Sequence, residues 1–277
     1  MKKILVTTDF SANSKAAMRF AIQMASQHEC ELTFFHSYYI MKPTSWADKK
    51  YTSYENHEAT MLKTKLEKFV AIVYKGMGAV AGKINHVISS SFITDGNILK
   101  FAKDKSFDFI CISRRGGGIA KKIFGTNTSN LILQSKVPVI AVPNTYRQTK
   151  IKSVLYATDL SDLEKEMKRV VEFSNSLGAE IELLHLNYPS DIVFNSKVIE
   201  NIIRKFPKSH IKYSLQTINL LHNLVVNLQA VIKKHKPSIL VMFTDQNQGF
   251  FQKLFLSSST AEYSFNSSVP LLVYPKK

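Results

Sequence analysis

The chain has 277 residues, of which 45% are hydrophobic and 21% charged, and its 37 Lys and Arg against 21 Asp and Glu leave a net charge of +16. That length suits two domains better than one, and the composition excludes a disordered, collagenous or disulfide-stapled chain. The two cysteines, Cys30 and Cys111, lack any CxxC or Cys/His spacing, so they are expected to be buried thiols, and no metal can be assigned.

The basic excess is uneven: residues 1–147 carry a net of +11 and residues 148–277 a net of +5. Because the lysines come as singles and pairs, a generally solvated basic surface is favoured over a dedicated nucleic-acid face. The opening Met1–Asp9 has too short an apolar run for a signal peptide, and no segment approaches the length of a membrane span. The expectation is a cytoplasmic protein without membrane contact.

In chain order, the first strand is expected over Lys3–Thr7, and the loop through Asp9 and Ser11 leads into a helix over Ser14–Gln27. Apolar residues at Ala17, Phe20, Ala21, Met24 and Ala25 fit one buried helical face, and Ser11 and Asn13 are suitable caps. Further strands are expected at Glu31–His36, Lys83–Ser89, Phe107–Ile112 and Val137–Val142. Helices over Asn56–Gly76, Gly96–Lys105 and Gly125–Gln134 separate them. The second half repeats the plan, with strands at Ser153–Ala157, Ile181–Leu186, Lys212–Thr217, Ser238–Phe243 and Pro270–Tyr274. Runs such as Phe107–Ile112 are apolar at successive positions, as strands buried on both faces of a parallel sheet should be. The alternation gives an α/β class with two tandem doubly wound parallel sheets.

The repeat is direct. Lys3-Ile4-Leu5-Val6-Thr7-Thr8-Asp9-Phe10-Ser11 returns as Ser153-Val154-Leu155-Tyr156-Ala157-Thr158-Asp159-Leu160-Ser161, and Val137-Pro138-Val139 returns as Val269-Pro270-Leu271. The offset falls along the chain, which places a deletion between the second and fourth strands of copy two. Copy one is expected over 1–147 and copy two over 148–277.

Ligands of open parallel sheets sit beyond the carboxyl ends of the strands. Asp9 stands there after the first strand, where it could accept hydrogen bonds from a nucleoside or fix its own loop. After the fourth strand comes Ser113-Arg114-Arg115-Gly116-Gly117-Gly118, followed by Gly125-Thr126-Asn127-Thr128 at a helix start. Glycines let backbone N–H groups approach phosphate oxygens, and a helix N-terminus favours an anion; a plain flexible connection is the alternative.

Asp9, His36 at the end of the second strand, the glycine loop and a final strand introduced by Val-Pro together resemble the universal stress protein family. The resemblance implies an adenine nucleotide alpha hydrolase-like fold and ATP held through a G-x-x-G, nine residues, G-[ST] signature. It implies that Asp9 contacts the nucleoside, Ser113 and Gly116 the ribose or phosphate, and Gly125, Thr126 and Thr128 the phosphates. Copy one departs from the signature twice: Ser113 replaces the first glycine, and eight residues separate Gly116 from Gly125. Copy two keeps Asp159 but has Gln248, Ser257 and Ser258 where the cradle would be, so its site is expected to be degenerate.

No nucleophile, acid/base pair or metal cluster is readable, so the expectation is a stress-response binding and signalling module rather than an enzyme, with slow ATP hydrolysis left open. His36 and His185 are read as structural. A ligand-independent interaction scaffold and a charge-driven nucleic-acid binder are the competing readings. In the resembling family the last strands associate between subunits, so Val137–Val142 and Val269–Tyr274 are expected to form an intramolecular pseudo-dimer, with room left for a homodimer and for unknown protein partners.

Overall fold

The computed structural model describes residues 1–114, 126–188, 196–244 and 268–276. Its described residues form two compact units, the first made of Met1–Arg114 and Thr126–Gln148, the second of the described residues from Thr149 on.

In the first unit, β1 (Lys2–Thr7), β2 (Cys30–Tyr38), β3 (Ile84–Ser90), β4 (Phe109–Arg114) and β5 (Val139–Pro143) form a sheet in the order β3-β2-β1-β4-β5. Every pairing among them is parallel: Ile4 faces Leu32 on one side and Phe109 on the other, and Cys111 faces Ile140. The order reverses direction between β1 and β4, which puts a crevice at the carboxyl ends of these two strands. Ile4, Leu5 and Val6 are successive and wholly buried, as expected for a central strand covered on both faces.

Helix α1 (Lys15–Gln27) presses Ala17, Phe20, Ala21 and Met24 into the core. Helices α3 (Thr94–Asp104) and α4 (Thr126–Gln134) lie close to the expected positions. Helix α2 (Asp48–Met77) does not: it starts eight residues before the expected Asn56. Its buried residues are Leu66, Val70, Val73 and Tyr74, all in the second half. The first four turns pack nothing into the core, so no apolar period marks them in the sequence.

The second unit repeats the arrangement with β6 (Ser153–Thr158), β7 (Glu180–Asn187), β8 (Ile211–Thr217), β9 (Ile239–Thr244) and β10 (Leu271–Pro275), in the order β8-β7-β6-β9-β10. These pairings are also parallel. Helix α5 (Leu163–Leu177) matches α1, and α7 (Leu224–His235) matches α3. The deletion falls in the β7–β8 crossover, where α6 (Ser196–Arg204) has 9 residues against the 30 of α2. The stretch expected to carry the degenerate cradle, including Gln248, Ser257 and Ser258, lies outside the described residues.

Candidate functional site

The loop after the first strand is built the same way in both units. Thr8 Oγ1 accepts the backbone N–H of Phe10 at 3.0 Å, and Thr158 Oγ1 accepts that of Leu160 at 2.9 Å. Asp9 Oδ1 accepts the N–H of Ser11 at 2.9 Å, and Asp159 Oδ1 that of Ser161 at 3.0 Å. These bonds fold the chain sharply enough that Phe10 and Leu160 take positive φ angles of 61° and 68°, a region costly for residues with a Cβ. The second strand closes the loop: Nδ1 of His36 lies 2.8 Å from the Thr8 carbonyl, and Nδ1 of His185 lies 3.0 Å from that of Thr158.

A carbonyl only accepts, so each Nδ1 carries the hydrogen. Burial holds the His36 pKa below the ordinary histidine value, which keeps the ring neutral at neutral pH. The Phe10 ring packs on His36 with centroids 4.3 Å apart. Both histidines therefore brace backbone, as their position at the strand ends suggested. Thr8, Thr158 and the two strained residues carry no motif of their own, although Thr8 recurs exactly as Thr158 at an offset of 150.

The loops differ in what surrounds the carboxylate. Asp9 is exposed, and among the described residues no cationic group lies within ion-pair distance of it. Burial would raise its pKa, but the hydrogen bonds from Ser11 outweigh that and hold it below the ordinary aspartate value. Ser11 and Ser14 of its own loop hydrogen-bond to the carboxylate, which stays charged and exposed.

Asp159 is neutralised internally. Lys276, directly after β10, places its ammonium 3.6 Å from Asp159, 3.9 Å from Asp162 and 3.4 Å from Glu166, and donates to Ser161 Oγ at 2.7 Å. Glu166, only 3% exposed, also accepts the Tyr156 hydroxyl. Burial raises the Glu166 pKa above the ordinary glutamate value. Burial also works against the Lys276 ammonium, but Glu166 and Asp159 outweigh it and raise its pKa. The cavity beside this cluster, lined by Glu166, Arg169, Phe243 and Lys276 among others, has a volume of about 20 Å³. That is room for one water molecule. At the offset of 132 that relates the last strands, Lys276 corresponds to Asn144 in copy one. The substitution of an amide by an ammonium was the available signal for the cluster.

Of the other expected site residues, Ser113 stands near the end of β4, where its Oγ accepts the backbone N–H of Ala17 at 2.8 Å. That N–H belongs to the first turn of α1, which has no intrahelical acceptor for it, so Ser113 caps α1 across the crevice. Its hydroxyl hydrogen can still donate. Arg114 ends β4 almost fully buried, and desolvation lowers its pKa to about 10, leaving it charged at neutral pH. Thr126 opens α4, and Thr128, 4% exposed, is packed within its first turn. Gly116 and Gly125 lie outside the described residues. The structure thus brings Asp9, α1 and Ser113 to one crevice, with the start of α4 following β4 in the same unit.

Among the described residues, no group of three His, Cys, Asp or Glu side chains could hold a metal ion. None of their helices is long and apolar enough to cross a membrane.

The model of the universal stress protein family matches residues 1–143. Among solved structures, a universal stress protein from Archaeoglobus fulgidus DSM 4304 is 16% identical with a TM-score of 0.73, the match covering 99% of this chain and 98% of that one. A protein of unknown function from Pseudomonas aeruginosa PAO1 is 12% identical with a TM-score of 0.57, over 99% of this chain and 92% of that one. A universal stress protein solved in complex with cAMP is 21% identical with a TM-score of 0.38, over 51% of this chain and 96% of that one. No curated protein matches the chain.

Proposed function

The chain belongs to the universal stress protein family, and from that premise we propose that its first copy is a nucleotide-binding module taking one ATP per chain. In this reading the protein serves stress response and signalling in the cytoplasm, with no catalytic residues of its own. The observation that carries the reading is the asymmetry between two matched loops: the Asp9 carboxylate is exposed with no cation within ion-pair distance among the described residues, whereas that of Asp159 is paired with Lys276. A nucleoside offers hydroxyl and amino donors to a carboxylate acceptor, and the phosphates would lie toward the start of α4 and the glycines before it. In copy two the carboxylates of Asp159, Asp162 and Glu166 oppose any phosphate, and Lys276 fills the space beside them.

Ser113 favours a second reading, a ligand-independent scaffold, since it replaces a glycine of the family signature and its oxygen already serves α1. Mass spectrometry of the natively purified protein, followed by calorimetric titration with ATP, separates the two. Copurified adenine nucleotide or a titration closing at one ATP per chain supports the nucleotide module. Two equivalent sites would contradict the asymmetry, and a flat titration with no copurified nucleotide would leave the scaffold.

A further inference from the structure

The first four turns of α2 form a long exposed segment that the core does not use. Among the described residues copy two has no counterpart of that length, since α6 has 9 residues. The fold therefore closes without this segment, and its surface chemistry is unusual for a solvated helix.

At about 100° per residue, Lys50, Tyr54, His57, Met61, Lys65 and Lys68 fall within a stripe roughly 80° wide. All six are exposed, Met61 by 56%. The stripe is about 27 Å long at 1.5 Å per residue. The helix's acidic residues lie off it: Asp48 is paired with Lys42, Glu55 accepts from Ser90 Oγ at 2.9 Å, Glu67 is on the far side, and Glu58 borders it.

Aromatic faces alternate with cations along this track. Lys50 Nζ lies 4.6 Å from the Trp46 ring centroid, and Trp46 meets Tyr54 edge to face at 5.3 Å. With Lys49, Ser53 and His57 they line an open concavity of about 690 Å³. At the other end Lys65 Nζ lies 4.6 Å from the Phe10 ring centroid. The start of the helix is anchored, because the Tyr51 hydroxyl donates to the Ile40 carbonyl at 2.8 Å and so ties the first turn to the end of β2.

We propose that this stripe is a docking surface for single-stranded nucleic acid, with bases stacking on Trp46 and Tyr54 and phosphates following the lysines. Single strands offer what the track complements, unstacked π faces joined by a regularly charged backbone, and such platforms hold about four nucleotides or more. An acidic peptide would match the lysines but leave the aromatic faces unused. A membrane surface calls for an apolar stripe, and Met61 is the sole aliphatic side chain among these six. Composition pointed away from nucleic acid because it counts lysines without showing that a helix gathers them on one side with aromatic rings between. The inference stands independently of ATP binding in copy one.

Trp46 is the sole tryptophan, so its emission reports directly on stacking. The full chain is titrated at low salt with an oligothymidylate of about twelve nucleotides, a length within the range such platforms bind. The expected result is saturable quenching at ~1–100 μM that weakens steeply with added salt. The double variant K49E/K50E should weaken binding about tenfold or more and flatten the salt dependence, whereas Y54A should weaken it about fivefold or more at an unchanged salt slope. Thermal melts of these exposed-residue variants should match the parent. Absence of quenching overturns the proposal, as does undiminished affinity in K49E/K50E. Equal or tighter quenching by polyglutamate, or by vesicles containing phosphatidylserine, would assign the surface to an acidic peptide or a membrane instead.

Discussion

Replacing Lys276 by Met tests whether copy two is closed by its own ammonium. The side chain is 17% exposed and faces Glu166, whose side chain is 4% exposed, with Asp159 and Asp162 more accessible. Removing one partner of a fully buried ion pair costs about 3–5 kcal/mol, and partial access to water reduces that here to ~2 kcal/mol at pH 7. For a unit of this size that is a fall of about 5–10 °C in its melting temperature. The pH dependence follows from the shifts. The Glu166 pKa is raised, so its carboxylate is disfavoured by folding above that pKa and the penalty disappears as pH falls through it. Lys276 has a raised pKa, so its stabilising contribution is complete below the ordinary lysine range and is lost only as pH rises through the folded value. Lys276→Met should therefore be much less damaging near pH 4.5 than at pH 7, and the double variant carrying Glu166→Gln as well should recover most of the loss. Urea melts of the parent, the single and the double variants at both pH values are the assay. A loss below about 0.5 kcal/mol at pH 7, within the ordinary range for surface substitutions, would refute the clamp, as would a loss independent of pH.

The matched pair Asp9→Ala and Asp159→Ala should separate the two copies in an ATP titration. The first is expected to weaken binding by about one to two orders of magnitude, the value of a charge-assisted hydrogen bond, and the second to leave it unchanged. NMR titration of His36 should place its pKa below the ordinary value. Because the unfolded chain then binds the proton more readily, this residue's contribution to stability should be complete above about pH 6.5 and decline as pH falls through that value. Helices α2 and α5 end on Gly78 and Gly178 with φ of 60° and 64°, whereas α7 ends on the exposed Lys236 with φ of 48°. Lys236→Gly should accordingly stabilise the protein by ~0.5–1 kcal/mol in a denaturant melt, since glycine tolerates the left-handed conformation.

The sequence by itself determined the parallel strands, because burial on both faces requires the successive apolar residues seen at Ile4-Leu5-Val6 and Ile239-Leu240-Val241. It also determined the repeat, the position of the deletion, and the acidic loops at Asp9 and Asp159, since a loop held by its own side chains carries its instructions locally. The start of α2 at Asp48 needed the tertiary structure: a helix segment that buries nothing leaves no hydrophobic period to read. The same held for Ser113, whose partner Ala17 is distant in sequence and is brought near only by the parallel pairing of β4 with β1. Residue type alone made Asp9 and Asp159 look equivalent. Only folding, which returns the chain after β10 to the start of α5, decided that Lys276 neutralises one of them and that the other has no such cation beside it among the described residues.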